Sequence, residues 1–181
     1  MKSSITKYEI EVEGTSPILM HKFNGIEEEK AVKQKADKEQ AEFHAYRLSN
    51  DGNLYIPAEW FKGCLREYLV SQSAPKEKTK TKLEVAPRIQ IQPSMIDLGI
   101  EEYDIDKRSV PSGNMSRGGV RDFCVRPLLK NWKAKFTLIT TLDKSMEQLK
   151  KDVENSGIDV GIGSNRINGY GRFKIVALNK V

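Results

Sequence analysis

Gly161, Gly163, Gly169 and Gly171 punctuate a stretch that also holds Asn165, Arg166, Asn168 and Tyr170, with Arg172 immediately after it. That combination suits a sugar-phosphate chain. Glycine reaches backbone conformations that other residues avoid, and it lets a second backbone come close. Successive exposed N–H groups in such a loop can form an anion-binding nest. Arg166 and Arg172 add planar guanidinium forks matched to phosphate, and Tyr170 adds a flat face for a base. The expectation is a backbone clamp for a nucleic-acid strand. The spacing satisfies neither G-x-x-x-x-G-K-[ST] nor G-x-G-x-x-G. The alternative reading is a glycine-rich turn that joins a helix to the last strand.

Other chemistry is sparse. His21 and His44 are the only histidines, and Cys64 and Cys124 the only cysteines. None has C-x-x-C or H-x-x-x-H spacing, so neither a metal nor a cofactor is expected. Glu27, Glu28 and Glu29 suit the start of a helix, where acids are favoured anyway. No nucleophile elbow is present. Metal-free RNA cleavage needs a general base for the 2′-hydroxyl and cations for the phosphate. His44, flanked by Tyr46 and Arg47, is the catalytic candidate; the competing reading is a surface histidine at the end of a charged helix. His21 reads as a strand-end residue.

Three functions follow. The first is a non-catalytic binder of single-stranded RNA or DNA, with Arg117, Arg121, Arg126, Arg166 and Arg172 neutralising phosphates. Tyr170 and Phe123 are its candidate stacking platforms, Phe123 being equally compatible with a core. The second is a metal-independent endoribonuclease. The third is a self-assembling structural protein whose 26–46 arm and 107–121 loop touch neighbouring copies.

Composition bounds these readings. The chain has 181 residues and a formal net charge of +5, a mild pull toward polyanions carried by one ordinary domain. Two unpaired cysteines and no visible targeting peptide point to a reducing, cytoplasmic setting. No apolar run approaches the ~18 residues of a membrane span.

The elements that must position the loop can be read in order. Tyr8, Ile10 and Val12 alternate with charged residues, which predicts a half-buried first strand. Residues 26–46 carry six acids and four lysines with few apolar residues, predicting a solvated helix or mobile arm. Phe61, Cys64, Leu65, Tyr68 and Leu69 form a helical stripe opened by Pro57, with Lys62 and Arg66 on another face. Residues 71–82 read as a flexible basic loop. Residues 85–98 have strand character that Pro87 and Pro93 confine to an edge or split in two. Between 107 and 135, eight cations face Asp122 alone, and 112–119 form a glycine-rich basic loop within that stretch. Residues 132–142 alternate as a strand. Asp143 is the expected cap of a helix marked by Met146, Leu149 and Val153 and stopped by Ser156-Gly157. A final strand carries Phe173, Ile175 and Ala177. Without the insertions, the order is strand, helix, strand, strand, helix, strand, the α+β ferredoxin-like (RRM-like) βαββαβ core, as one domain over 1–181 with insertions at about 24–48 and 99–124.

A family resemblance joins this pattern. The loop resembles the G-x-G-x-x-x-x-x-G-x-G-[RK] signature of the RAMP superfamily, CRISPR-associated RNA-binding proteins, at Gly161, Gly163, Gly169, Gly171 and Arg172. The segment from Ile56 to Arg66 is similar to the family phrase I-P-G-S-S-L-K-G-x-x-R at Ile56, Pro57, Lys62, Gly63 and Arg66, and departs from it at Ala58 and Glu59. Residues 125–132 and the Gly-Ile-Gly…Tyr-Gly-Arg-Phe ending also look similar to small stand-alone phage and prophage members. The resemblance implies a ferredoxin-like core that grips single-stranded RNA or DNA, as homo-oligomeric repeats or beside other RAMP-type subunits. It implies backbone contacts at the glycine loop and phosphate contacts at Lys62 and Arg66. Catalysis does not carry over: no Asp lies between Gly14 and Lys35, where target-cutting members use one.

Overall fold

Side-chain alternation decides the main sheet. The computed structural model describes residues 4–112 and 120–181. In chain order the elements are β1 (Thr6–Gly14), β2 (Ile18–Leu19), α1 (Ile26–Val32), α2 (Asp37–Phe43), β3 (Tyr55–Pro57), α3 (Ala58–Ser71), α4 (Lys78–Val85), β4 (Ile89–Gln92), β5 (Met95–Asp97), β6 (Asp104–Ser112), β7 (Val120–Leu129), β8 (Lys133–Thr140), α5 (Met146–Asp159) and β9 (Phe173–Lys180). Four of the strands form an antiparallel sheet in the order β4-β8-β1-β9. Register places Tyr8, Ile10 and Val12 opposite Leu138, Phe136 and Ala134, and all six are buried.

Helices α3 and α5 cover that face. The stripe of α3 is wholly buried, and Phe61 packs on Phe136 and Phe173 at ring-centroid distances of 4.4 and 5.5 Å. Each such side chain contributes about 1.5–3 kcal/mol by leaving water. The Cys64 thiol donates to the Ser156 carbonyl at 3.1 Å, and burial pushes its pKa up to about 11. Gly157 lets α5 press on β9, since a Cβ there would lie 2.4 Å from the Phe173 carbonyl oxygen. Gly157 is therefore a close-approach residue inside the helix, not the stop that the sequence predicts. The start of α5 also differs from expectation: Ser145, not Asp143, is the N-cap, in a capping box with Gln148. The Ser145 hydroxyl accepts from the Gln148 N–H while the Ser145 N–H donates to the Gln148 side-chain oxygen, a three-residue spacing that Asp143 does not have.

The opposite face of the sheet is open and mixed in charge. Glu9 and Glu11 flank Lys135, and Glu13 lies between Lys133 and Lys174, at 3.2–3.3 Å.

A second layer is built on a long hairpin, β6–β7, extended by β2. Helix α2 docks on it, α1 packs on α2 and is linked to β7 by the Lys33–Asp122 ion pair, and Val32, Ala41 and His44 are buried between them. The 26–46 segment is thus a packed pair of helices, not a mobile arm. It stays down because its few apolar residues fall where the two turns meet the hairpin. Residues 78–85, within and beyond the expected basic loop, form α4, a helix that buries none of its residues. Residues 85–98 split at Pro93 into β4, an edge strand of the main sheet, and β5, which pairs with β3.

Candidate nucleic-acid interface

The glycine loop folds back on itself. Gly161, Gly163, Gly169 and Gly171 all take positive φ, as does Asn165 at 61°. The reason is local crowding at three of the glycines. A Cβ on Gly171 would sit 1.8 Å from the Ile162 carbonyl oxygen, one on Gly161 2.9 Å from that of Gly171, and one on Gly163 2.9 Å from that of Leu19. Gly169 instead faces open space. Several of the loop's N–H groups serve the fold: Ile162 donates to Gly171, Ser164 to Leu19 and Gly171 to Pro17, at 2.8–2.9 Å. The Arg172 N–H donates to the Ser16 hydroxyl at 2.8 Å. The loop base is therefore bolted to the connector after β1, and only its tip stands out, with Ile167 93% exposed.

Bolted in this way, the loop bridges α3 and the β6–β7 hairpin. Toward α3, Gly163 and Arg166 face Trp60, Gly63, Arg66 and Glu67 across a cleft of about 170 Å³. Arg166 bonds Glu67 at 2.9 Å, and Glu59 also lines the cleft. The helical Gly63 has nothing within 4 Å of where a Cβ would stand. Toward the hairpin, the Arg126 guanidinium donates to the Ser164 hydroxyl at 2.8 Å. Arg108 donates to the Tyr170 hydroxyl at 2.7 Å and stacks over its ring at 4.8 Å.

The sequence-chosen residues divide by exposure. Arg66 and Lys62 are half-buried and form no ion pair among the described residues. Arg126 is only 5% exposed, held against Asp106 at 3.6 Å, with Nε buried and unpartnered. It raises the local potential from beneath the surface. Arg108 chelates Asp106, which lifts its pKa further. Arg121 lies exposed along the hairpin and donates to Ser109. Arg172 turns back to the Arg166 carbonyl at 3.1 Å, and its Nη1 is buried without a partner. Arg117 lies outside the described residues. Phe123 is 62% exposed beneath Lys107, which excludes the core reading.

Trp60, Arg108 and Ser164 join the site without having been singled out in the sequence. Trp60 lies within the Ile56–Arg66 segment and directly precedes the buried Phe61, so its place in that segment was the signal that could have found it.

His44 is not a surface residue. It is 5% exposed, stacks on His21 with centroids 4.4 Å apart, and its Nδ1 lies 3.1 Å from the Lys22 carbonyl oxygen. Burial, then the neighbouring His44 and Arg126, push the His21 pKa down to about 4. A general base for RNA would need more access than His44 has.

No family model and no curated protein matches the chain. Solved structures do. A chain of the Type III-B Cmr-beta complex bound to cognate target RNA superposes with a TM-score of 0.64 at 13% identity, over 98% of this chain. Cmr6 from Pyrococcus furiosus superposes with a TM-score of 0.52 at 12% identity, over 94% of this chain and 98% of its own. The chain shares its fold with these two Cmr chains. At these identities the likeness is one of fold. The chain spans 61% of the length of the Cmr-beta chain it matches. Within this fold the loop glycines have a defined structural role, closing the loop on the β1–β2 connector. No helix among the described residues is long and apolar enough to cross a membrane.

Proposed function

We propose that this chain is a non-catalytic, RAMP-type binder of single-stranded RNA that works beside other RAMP-type subunits or copies of itself. Its core is read as the ferredoxin-like wrap, with α1–α2 and the β6–β7 hairpin as insertions. The observation that carries the proposal is Gly63. A glycine in mid-helix costs about 1 kcal/mol relative to alanine, and here no neighbour needs the missing Cβ. What the glycine keeps open is the cleft between α3 and the glycine loop, where Arg66 and Arg166 stand. A phosphate and its backbone fit that role; a base stacks on Trp60 or Tyr170. The open sheet face, which other RNA-recognition domains use, has no aromatic platform among the described residues, and its Lys133, Lys135 and Lys174 are tied to glutamates.

The test is fluorescence anisotropy with single-stranded RNA and single-stranded DNA oligonucleotides across a salt series. Log affinity should fall linearly with log salt, by about 0.7 for each phosphate neutralised on a single strand. Arg66→Ala should weaken binding and shallow that slope by about one such step. Gly63→Ala should weaken binding while stabilising the fold. No binding at low salt, or no effect of either variant, would overturn the proposal.

A further inference from the structure

The His21–His44 pair has a third neighbour that the phosphate-binding reading does not use. Glu29, on α1, points at the two imidazoles, and donor atoms of all three residues lie within 4.8 Å of one another. Their chemistry is one-sided. If the His44 Nδ1 hydrogen is donated to the Lys22 carbonyl, the Nε2 lone pair faces the Glu29 Oε2 at 3.7 Å, which is too long for a hydrogen bond. The other Glu29 oxygen, Oε1, is buried and has no hydrogen-bond partner among the described residues. Lone pairs thus converge with no proton donated between them, and the nearby Arg126 guanidinium is already committed to Ser164 and Asp106. Lys33 lines the same cavity but is engaged by Asp122.

We propose that His21, His44 and Glu29 bind a divalent transition-metal ion of the zinc class, with the Cys124 thiolate or a water as fourth ligand. Two imidazoles, a carboxylate and a nearby thiol form a mixed N/O/S donor set. Such a set favours zinc over magnesium or calcium, which prefer all-oxygen shells. The Cys124 sulfur lies 3.7 Å from His21 Nδ1. The carbonyl bonded to His44 Nδ1 is the outer partner that ligating histidines require to fix their tautomer. Tetrahedral zinc at ~2.0–2.1 Å from nitrogen brings its donors to roughly 3.3 Å of one another. A rotation of the His21 and Glu29 side chains covers the remaining gap.

The site also answers a structural need. Helices α1 and α2 have seven residues each, and neither has a side-chain N-cap bond. The described buried residue of α1 is Val32, and that of α2 is Ala41. Such short pieces are marginal by themselves. A metal ion would join the segment after β2 (His21), α1 (Glu29), the end of α2 (His44) and, through Cys124, β7. It would fasten the insertion to the hairpin as structural zinc fastens small domains.

The experiment uses the full chain stripped with a chelator and titrated with Zn²⁺ or Co²⁺, with Mg²⁺ as the control. Expected are one Zn²⁺ per chain, a rise in thermal midpoint with Zn²⁺ and not with Mg²⁺, and the visible absorption of four-coordinate Co²⁺. A near-ultraviolet thiolate charge-transfer band that disappears in Cys124→Ser would assign the fourth ligand to Cys124; its absence would assign it to water. Glu29→Gln preserves shape and should cost at least about tenfold in Zn²⁺ affinity, as loss of even an outer-shell partner does; His44→Gln should do the same. If the stripped wild-type chain is folded and binds no Zn²⁺, the site does not exist. Tight Zn²⁺ binding that survives both variants would place the metal elsewhere and equally overturn the proposal.

Discussion

At the residue scale, the glycines of the loop are not equivalent, although the sequence presents them as one motif. Gly171 has φ 70° and a carbonyl oxygen 1.8 Å from its would-be Cβ, whereas Gly169 has φ 84° and open space. Gly171→Ala should therefore cost more than about 3 kcal/mol, because strain and a backbone clash add. Gly169→Ala should cost only about 1 kcal/mol, from the left-handed conformation alone. Urea-denaturation midpoints of the two variants check the difference; equal losses would show that the loop relaxes around Gly171. Spacing identified which residues share the loop, because glycine and arginine types announce themselves. It did not show which arginines turn inward. Arg126 and Arg121 read alike in the sequence, and only the pairing of β6 with β7 puts one beneath Ser164 and the other in solvent.

At the element scale, the stripe of α3 and the alternation of β1 and β8 were legible because each rests on a local period that burial enforces. The helix ends and the 26–46 segment were less so. Ser145 and Asp143 are both good caps by type, and the choice between them depends on Gln148 being three residues after Ser145. Ser145→Ala should cost about 1 kcal/mol in thermal or denaturant unfolding, while Asp143→Ala should be nearly neutral. The reverse ranking would return the cap to Asp143. The meeting of His21 with His44 was illegible for a different reason. It depends on how β2, α2 and β7 stack, and no spacing rule encodes such a stack.

At the scale of the whole molecule, the proposed interface and the open sheet face differ in how their charges are paired. The glycine loop ties α3 to the basic hairpin, while on the open sheet face Lys133, Lys135 and Lys174 pair with Glu9, Glu11 and Glu13. Lys135→Ala should therefore leave RNA affinity within about twofold, as expected of a surface pair. Glu67→Gln should tighten it, by roughly two- to fivefold at low salt, by freeing Arg166 and removing a like charge from the phosphate path. Anisotropy with the same oligonucleotide measures both, and a large loss in Lys135→Ala would move the binding face to the sheet.

The central position of β1 has a consequence for how the protein is made. Its two hydrogen-bonding neighbours are β8 and β9, the latter ending at Lys180. During vectorial synthesis the first strand emerges from the ribosome with both edges bare, and neither is sealed until Lys133–Thr140 has been made. A nascent chain stalled anywhere before residue 133 lacks both partners, so ribosome-bound intermediates should be protease-sensitive at β1 until β8 and β9 are released.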